Sequence, residues 1–138
     1  MGVIDMTAMR YINLLDKISK VKTRKCFVHN NVIFFAVQKE FVSRAIGPSA
    51  SNVRQIQEKI GKKVKIIQED DGVGDLPRFI EDIVSPIRPR GVEVKEGCVI
   101  VNAGNNQNKA SLIGRNKRRF LELKKIIQDT YHLDLRIV

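Results

Sequence analysis

The sequence predicts an α+β protein made of two copies of one small unit, each a three-stranded sheet covered by helices. Three observations carry this. Apolar residues recur at helical spacing in some segments and in short alternating or continuous runs in others, in the order αββααβ, twice over. Gly47 and Gly114 each follow an isoleucine and lie 67 residues apart. A turn precedes each glycine by 16 or 17 residues, counted from Asn31 and Gly97. Two copies of one supersecondary plan explain these matched frames better than coincidence does.

The first copy opens with Ala8, Tyr11, Leu15 and Ile18 on one helical face, with Asp5 or Thr7 as candidate N-caps. Cys26-Phe27-Val28-His29 and Val32-Ile33-Phe34-Phe35-Ala36-Val37 flank Asn30-Asn31 and read as a hairpin. Phe41, Val42, Ala45 and Ile46 make a short helical stripe that ends at Gly47. Val53, Ile56 and Ile60 make another, closed by Gly61 in the C-cap role. Val64-Lys65-Ile66 starts a strand. Asp70-Asp71-Gly72-Val73-Gly74-Asp75 breaks every period and reads as an acidic linker. The expected division is residues 1–69, a linker over 70–76, and a second unit over 77–138.

The second copy repeats the order. Phe79, Ile80, Ile83 and Val84 predict a helix stopped by Pro86. Val92-Glu93-Val94-Lys95, a Glu96-Gly97 turn and Cys98-Val99-Ile100-Val101 predict a hairpin. A short helix over 106–113 runs into Gly114. Phe120, Leu123 and Ile127 mark a longer helix, and Leu133 to Ile137 alternates as the last strand.

Composition narrows the function. The chain of 138 residues has a net charge of +10 and a pI near 9.9, which favours a polyanionic partner. The excess is uneven: residues 1–69 carry 13 Lys/Arg against 5 Asp/Glu, and residues 70–138 carry 12 against 10. No apolar run approaches the roughly 18 residues needed to span a bilayer. Met1 to Met6 lacks the basic-then-apolar pattern of a signal peptide and the site for myristoylation. Cys26 and Cys98 read as buried free thiols of a reducing cytoplasm.

A helix, a four-residue loop opened by glycine, and a second helix form the plan of the KH domain. The αββααβ order resembles its type II form. The family's usual loop is Gly-x-x-Gly, and its groove holds about four nucleotides of single-stranded RNA. The first loop here is Gly47-Pro48-Ser49-Ala50, followed by Ser51-Asn52-Val53-Arg54. The second is Gly114-Arg115-Asn116-Lys117, followed by Arg118-Arg119. Both depart from the pattern at the fourth position. Ala45 to Val53, then Glu58 to Val64, resembles the first KH domain of NusA transcription factors. Phe79 to Pro86 resembles the segment that joins their two KH domains. In length the chain is similar to the archaeal members, which consist of the KH pair alone. Bacterial members add an N-terminal polymerase-binding domain and an S1 domain, for which this chain has no room.

The resemblance implies RNA binding linked to transcription elongation or termination in the cytoplasm, by two tandem type II KH domains. It implies RNA contacts at Arg44, Ile46, Gly47, Pro48, Ser49, Ala50, Ser51, Asn52 and Arg54. In the second loop it implies Ile113, Gly114, Arg115, Asn116, Lys117 and Arg118. Single-stranded RNA is the expected partner, with RNA polymerase or other transcription factors beside it. No enzyme activity, cofactor, metal, membrane or small-molecule substrate is implied. Two other readings keep the fold: a ribosome-associated or ribosome-assembly protein, and a protein-interaction adaptor with degenerate loops.

The remaining candidates have plainer readings. Cys26-x-x-His29 lacks the further ligands of a zinc site. Phe34-Phe35 offers a stacking platform only if one ring escapes the core. Lys124-Lys125 and Glu81-Asp82 read as solvated helix faces, and His132 as a surface or boundary residue. Arg88 and Arg90 are candidate phosphate contacts. Alanine is small and lysine is not, and the first half carries more net charge. The first loop is therefore expected to matter more.

Overall fold

The computed structural model describes residues 6–138, which form two compact units that divide between Glu69 and Asp70. The first unit runs α1 (Met6–Ser19), β1 (Lys25–His29), β2 (Val32–Val37), α2 (Val42–Ile46), α3 (Ser51–Ile60) and β3 (Lys63–Gln68). The second runs α4 (Leu76–Val84), β4 (Gly91–Lys95), β5 (Cys98–Asn102), α5 (Asn106–Ile113), α6 (Arg118–Tyr131) and β6 (Asp134–Ile137). The architecture is α+β, with three α-helices and one three-stranded sheet in each unit.

Both sheets are built the same way. An antiparallel hairpin pairs β1 with β2, and β4 with β5. The third strand returns parallel to the middle one, so β3 lies beside β2 and β6 beside β5. A parallel return needs a long crossover, and the two helices before the last strand supply it. Each hairpin turns through two residues at positive φ, Asn30 and Asn31 at 53° and 63°, Glu96 and Gly97 at 51° and 74°. Two such residues in succession match the twist of the flanking strands.

Alternation then decides what each sheet face buries. Cys26, Phe35 and Ile66 lie side by side across the first sheet, as do Val28, Ile33 and Val64. Ile33, Phe35, Val37 and Val64 join Leu15 of α1, Ala45 of α2 and Ile56 of α3 in one buried cluster. Each large side chain so buried contributes about 1.5–3 kcal/mol. In the second unit the corresponding buried positions are Val99, Val101 and Leu135 on the sheet. Phe79, Ile80 and Ile83 of α4, Leu112 of α5, and Leu123 and Ile127 of α6 are buried as well.

Several expectations need correction. Residues 73–76 are structured and are not linker: Val73–Asp75 makes a 3-10 turn, and the fully buried Leu76 opens α4. The Asp75 carboxylate accepts the Asp71 N–H at 3.1 Å and the Arg78 Nε–H at 3.0 Å, while Arg78 Nη1 reaches Asp82 Oδ2 at 2.6 Å. The hydrogen bond from Arg78 holds the Asp75 carboxyl below the usual carboxylate range, and its bond to Asp75 pushes the Arg78 guanidinium up. Residues that read as solvent-seeking are therefore a local clasp, and Asp82 is an ion-pair partner. Thr7 lies inside α1 and does not cap it. Asp5 and the rest of the Met1 to Asp5 segment, on which the leader and lipidation readings rest, lie outside the described residues. Cys26 and Cys98 are free thiols, half-buried where burial was expected. Among the described residues, no helix is long and apolar enough to cross a membrane.

Candidate nucleic-acid interface

The two glycine-led corners trace one backbone path. Gly47 sits at φ 80°, ψ 166° and Gly114 at φ 75°, ψ 174°. Three residues later Ala50 adopts φ 60°, ψ 28°, and Lys117 φ 59°, ψ 21°. Between them Ser49 and Asn116 are also left-handed, at φ 54° and 56°. Each glycine N–H closes its helix by donating to a carbonyl four residues back, Ser43 at 3.0 Å and Ala110 at 2.9 Å. Each glycine carbonyl accepts from the fourth loop residue, Ala50 at 3.1 Å and Lys117 at 3.2 Å.

The fourth position is thus left-handed in both loops, the conformation that glycine adopts without steric cost. Here Ala50 and Lys117 adopt it with a Cβ, at a cost of about 1–2 kcal/mol each. The departure from Gly-x-x-Gly changes the side chain at this position and leaves the path intact.

A brace locks each corner. Asn52 Nδ2 donates to the Arg44 carbonyl at 3.1 Å, and Arg119 Nη1 donates to the Ser111 carbonyl at 3.1 Å. In both cases the donor stands five residues after the glycine and the acceptor three before it. The acceptors belong to the last turn of a helix, where carbonyls lack an intrahelical partner. The braces also explain the glycines. A Cβ on Gly47 would lie 2.8 Å from Asn52 Cγ, and one on Gly114 would lie 2.8 Å from Arg119 Cγ. The space beside each glycine is filled by the chain's own brace.

The loops differ in what they show to solvent. Pro48 and Ser49 are exposed, while Ile46, Gly47, Ala50, Ser51 and Asn52 are half-buried. Arg44 and Arg54 are exposed, and Arg54 Nη1 donates back to the Ser49 carbonyl. In the second loop Arg115, Asn116, Lys117 and Arg118 are all exposed, with Ile113 and Gly114 half-buried. None of the three cations is ion-paired among the described residues. Every residue expected from the sequence therefore lies on or beside one of the two corners. Proline at the second position leaves the first loop one N–H short of the second.

Arg119 escaped the sequence reading. Superposing the two copies at their 67-residue offset pairs Asn52 with Arg119 and Arg44 with Ser111, but only the fold shows that either pair forms a brace.

The other candidates divide into packed aromatic rings and cations, most of which remain exposed. Phe35 belongs to the core and Phe34, on the opposite face of β2, is buried as well. Phe34 stacks on the half-buried Phe27 with ring centroids 5.5 Å apart, so Phe34 is not an open platform. Lys124 is engaged with Asp134 at 3.5 Å and lies 5.9 Å from the Phe120 ring centre; Lys125 is exposed. Arg88 and Arg90 are exposed, and His132 caps α6 in the left-handed conformation. No group of three or more His, Cys, Asp or Glu among the described residues is placed to hold a metal ion.

No protein-family model matches the chain. Among curated proteins it is similar to three archaeal proteins, each described as a probable transcription termination protein NusA. It is 37% identical over 84 residues to that of Methanocaldococcus jannaschii, covering 61% of this chain and 44% of the relative. It is 31% identical over 85 residues to that of Methanococcus vannielii, covering 62% and 47%. The match to that of Halococcus morrhuae is 23% identical over 130 residues and covers 93% and 91%. The chain thus spans under half the length of two of these relatives and nearly all of the third. Among solved structures, the crystal structure of APE1850 matches with a TM-score of 0.67 at 20% identity, over 98% of this chain and 100% of that one. That likeness shows the fold. In sequence the chain is similar to archaeal proteins named as probable NusA.

Proposed function

We propose that this NusA-like chain is a single-stranded RNA-binding protein of two tandem type II KH domains, one on either side of the Glu69–Asp70 boundary. Its role in this reading lies in transcription elongation or termination in the cytoplasm, beside RNA polymerase or another transcription factor, without enzyme chemistry. The observation that carries the reading is the repeated corner: one left-handed loop path, used twice, in a chain of net charge +10. The corners leave exposed, short-side-chain backbone at Pro48-Ser49 and exposed cations at Arg115, Lys117 and Arg118. A phosphate approaching either loop meets a favourable field, and the half-buried Ile46 and Ile113 offer apolar surface to a base. The names of the archaeal relatives supply the transcriptional context.

Titration of labelled single-stranded RNA tests the reading. Log affinity is expected to fall linearly with log salt, by about 0.7 per phosphate neutralised. A duplex of equal length is expected to bind more weakly, because this mode needs unstacked bases. Salt-independent binding or a preference for duplex overturns the RNA reading. Absence of binding to any RNA moves the protein-adaptor reading forward. Affinity capture from extract then separates transcription from ribosome assembly: recovery of RNA polymerase supports the former, and recovery of ribosomal subunits the latter.

A further inference from the structure

We infer that Arg119 does two jobs: it braces the second corner and supplies a cation that binds an RNA phosphate there, a role that its counterpart Asn52 cannot fill. The inference rests on the RNA-binding reading above.

The two braces are geometrically alike and chemically different. Asn52 is neutral, and its amide closes on the Arg44 carbonyl. Arg119 closes on the Ser111 carbonyl with one N–H of a guanidinium that has five. Its other donors have no partner among the described residues. Its stem lies against Gly114, where a Cβ would meet three of its carbons within 3.1 Å. The charged group is therefore held at the root of the loop by packing and by a hydrogen bond. A cation fixed this way loses little side-chain entropy when an anion arrives.

Its neighbours add to the field. Arg115, Lys117 and Arg118 surround the same corner and are exposed. From Lys109 to Lys125 the chain carries seven Lys/Arg against one acid, Glu122. In the first corner the tied guanidinium is Arg54, bound to the Ser49 carbonyl at the loop tip. Its counterpart at the 67-residue offset is the exposed Leu121. The two corners thus hold their fixed guanidinium in different places, at the tip in the first and at the root in the second.

The test uses the full chain and a single-stranded oligouridylate of roughly twelve nucleotides, long enough for two tracks of about four. Arg119→Asn installs the brace of the first corner without its charge. It is expected to unfold at the wild-type temperature while binding about five- to tenfold more weakly, with the salt slope reduced by about 0.7. Arg119→Lys is expected to keep the slope. Asn52→Arg transplants the cation into the first corner and is expected to raise the slope by the same increment. Wild-type affinity and slope in a normally folded Arg119→Asn would reduce Arg119 to a brace. Should Arg119→Asn fail to fold, the transplant decides, and an unchanged slope in Asn52→Arg overturns the inference. If the wild type itself does not bind the oligonucleotide, the RNA reading falls and this inference with it. If the wild type binds and both variants bind identically to it, this inference alone falls.

Discussion

Gly47-Pro48-Ser49-Ala50 and Gly114-Arg115-Asn116-Lys117 share a backbone path and almost no side-chain chemistry. Both begin with a glycine whose missing Cβ leaves room for a brace, and both end in a non-glycine residue forced left-handed. One exposes a proline and a serine, the other two cations and an asparagine. The comparison separates what the corner needs from what a ligand would meet. The path is set by local hydrogen bonds common to both, and the charge is free to vary. It also shows that a bulky fourth residue leaves the backbone path of the second loop unchanged. Lys117 occupies the same conformation as Ala50, and its side chain is exposed. With the path equal, local charge is the remaining difference, and on that ground the second loop is expected to bind more strongly.

Filling the space beside either glycine should cost the most stability. Gly47→Val or Gly114→Val places a branched side chain at positive φ with its Cβ 2.8 Å from the brace, so each should cost about 2–4 kcal/mol. Gly61→Ala is the control. Gly61 caps α3 at φ 78°, and a methyl group there would meet nothing within 4 Å, so only the conformational cost of about 1 kcal/mol applies. Chemical denaturation measures all three, and equal losses would mean that the braces do not define the glycine sites.

Charge reversal at the loop tips separates the two corners by what they show to a phosphate. Arg115→Asp with Asn116→Asp is expected to weaken single-stranded RNA binding by about 2–3 kcal/mol, and Pro48→Asp with Ser49→Asp by about 1–2 kcal/mol. All four positions are exposed, so melting temperatures should shift little. The opposite order would restore the first loop to the primacy that its small side chains and the more basic first half suggest. Because the second pair also removes a cation, Arg115→Ala beside Arg54→Ala is the cleaner contrast.

A smaller effect concerns the fourth position. Ala50→Gly and Lys117→Gly relieve left-handed strain of about 1–2 kcal/mol and lose part of it to the greater freedom of unfolded glycine. Each should gain about 0.5–1 kcal/mol in stability, read from denaturation midpoints. Only Lys117→Gly should also lose RNA affinity, since only it removes a charge.

The smallest effect is confined to the second unit. Asp75, Arg78 and Asp82 have Ala8, Tyr11 and Leu15 at the equivalent positions of the first unit. The Asp75 carboxyl is held below its ordinary value by Arg78, so its contribution to stability is present above that ordinary value. It is lost as pH falls through the depressed one. Asp75→Asn should therefore destabilise by no more than about 1 kcal/mol near neutrality, with the difference vanishing in acid. A difference that persists at low pH would assign the effect to the turn geometry.

Much of the fold was legible because its signals are local. The spacing of Tyr11, Leu15 and Ile18, the Asn30-Asn31 and Glu96-Gly97 turns, and the cap at Gly61 each follow from the chemistry of a few neighbouring residues. The 67-residue repeat placed both corners, and with them the loop residues from Arg44 to Arg54 and from Ile113 to Arg118, before any coordinate was needed. Other features required the folded chain. A run such as Val32 to Val37 is apolar throughout, and only burial reveals that both Phe34 and Phe35 are enclosed. An acidic stretch looks like a linker until Arg78 is seen to gather Asp75 and Asp82. The brace from Arg119 to Ser111 spans eight residues across a turn, a distance at which periodicity carries no information. Spacing along the chain determines which residues share a face; the direction in which a long side chain points, and what it meets there, is decided by packing.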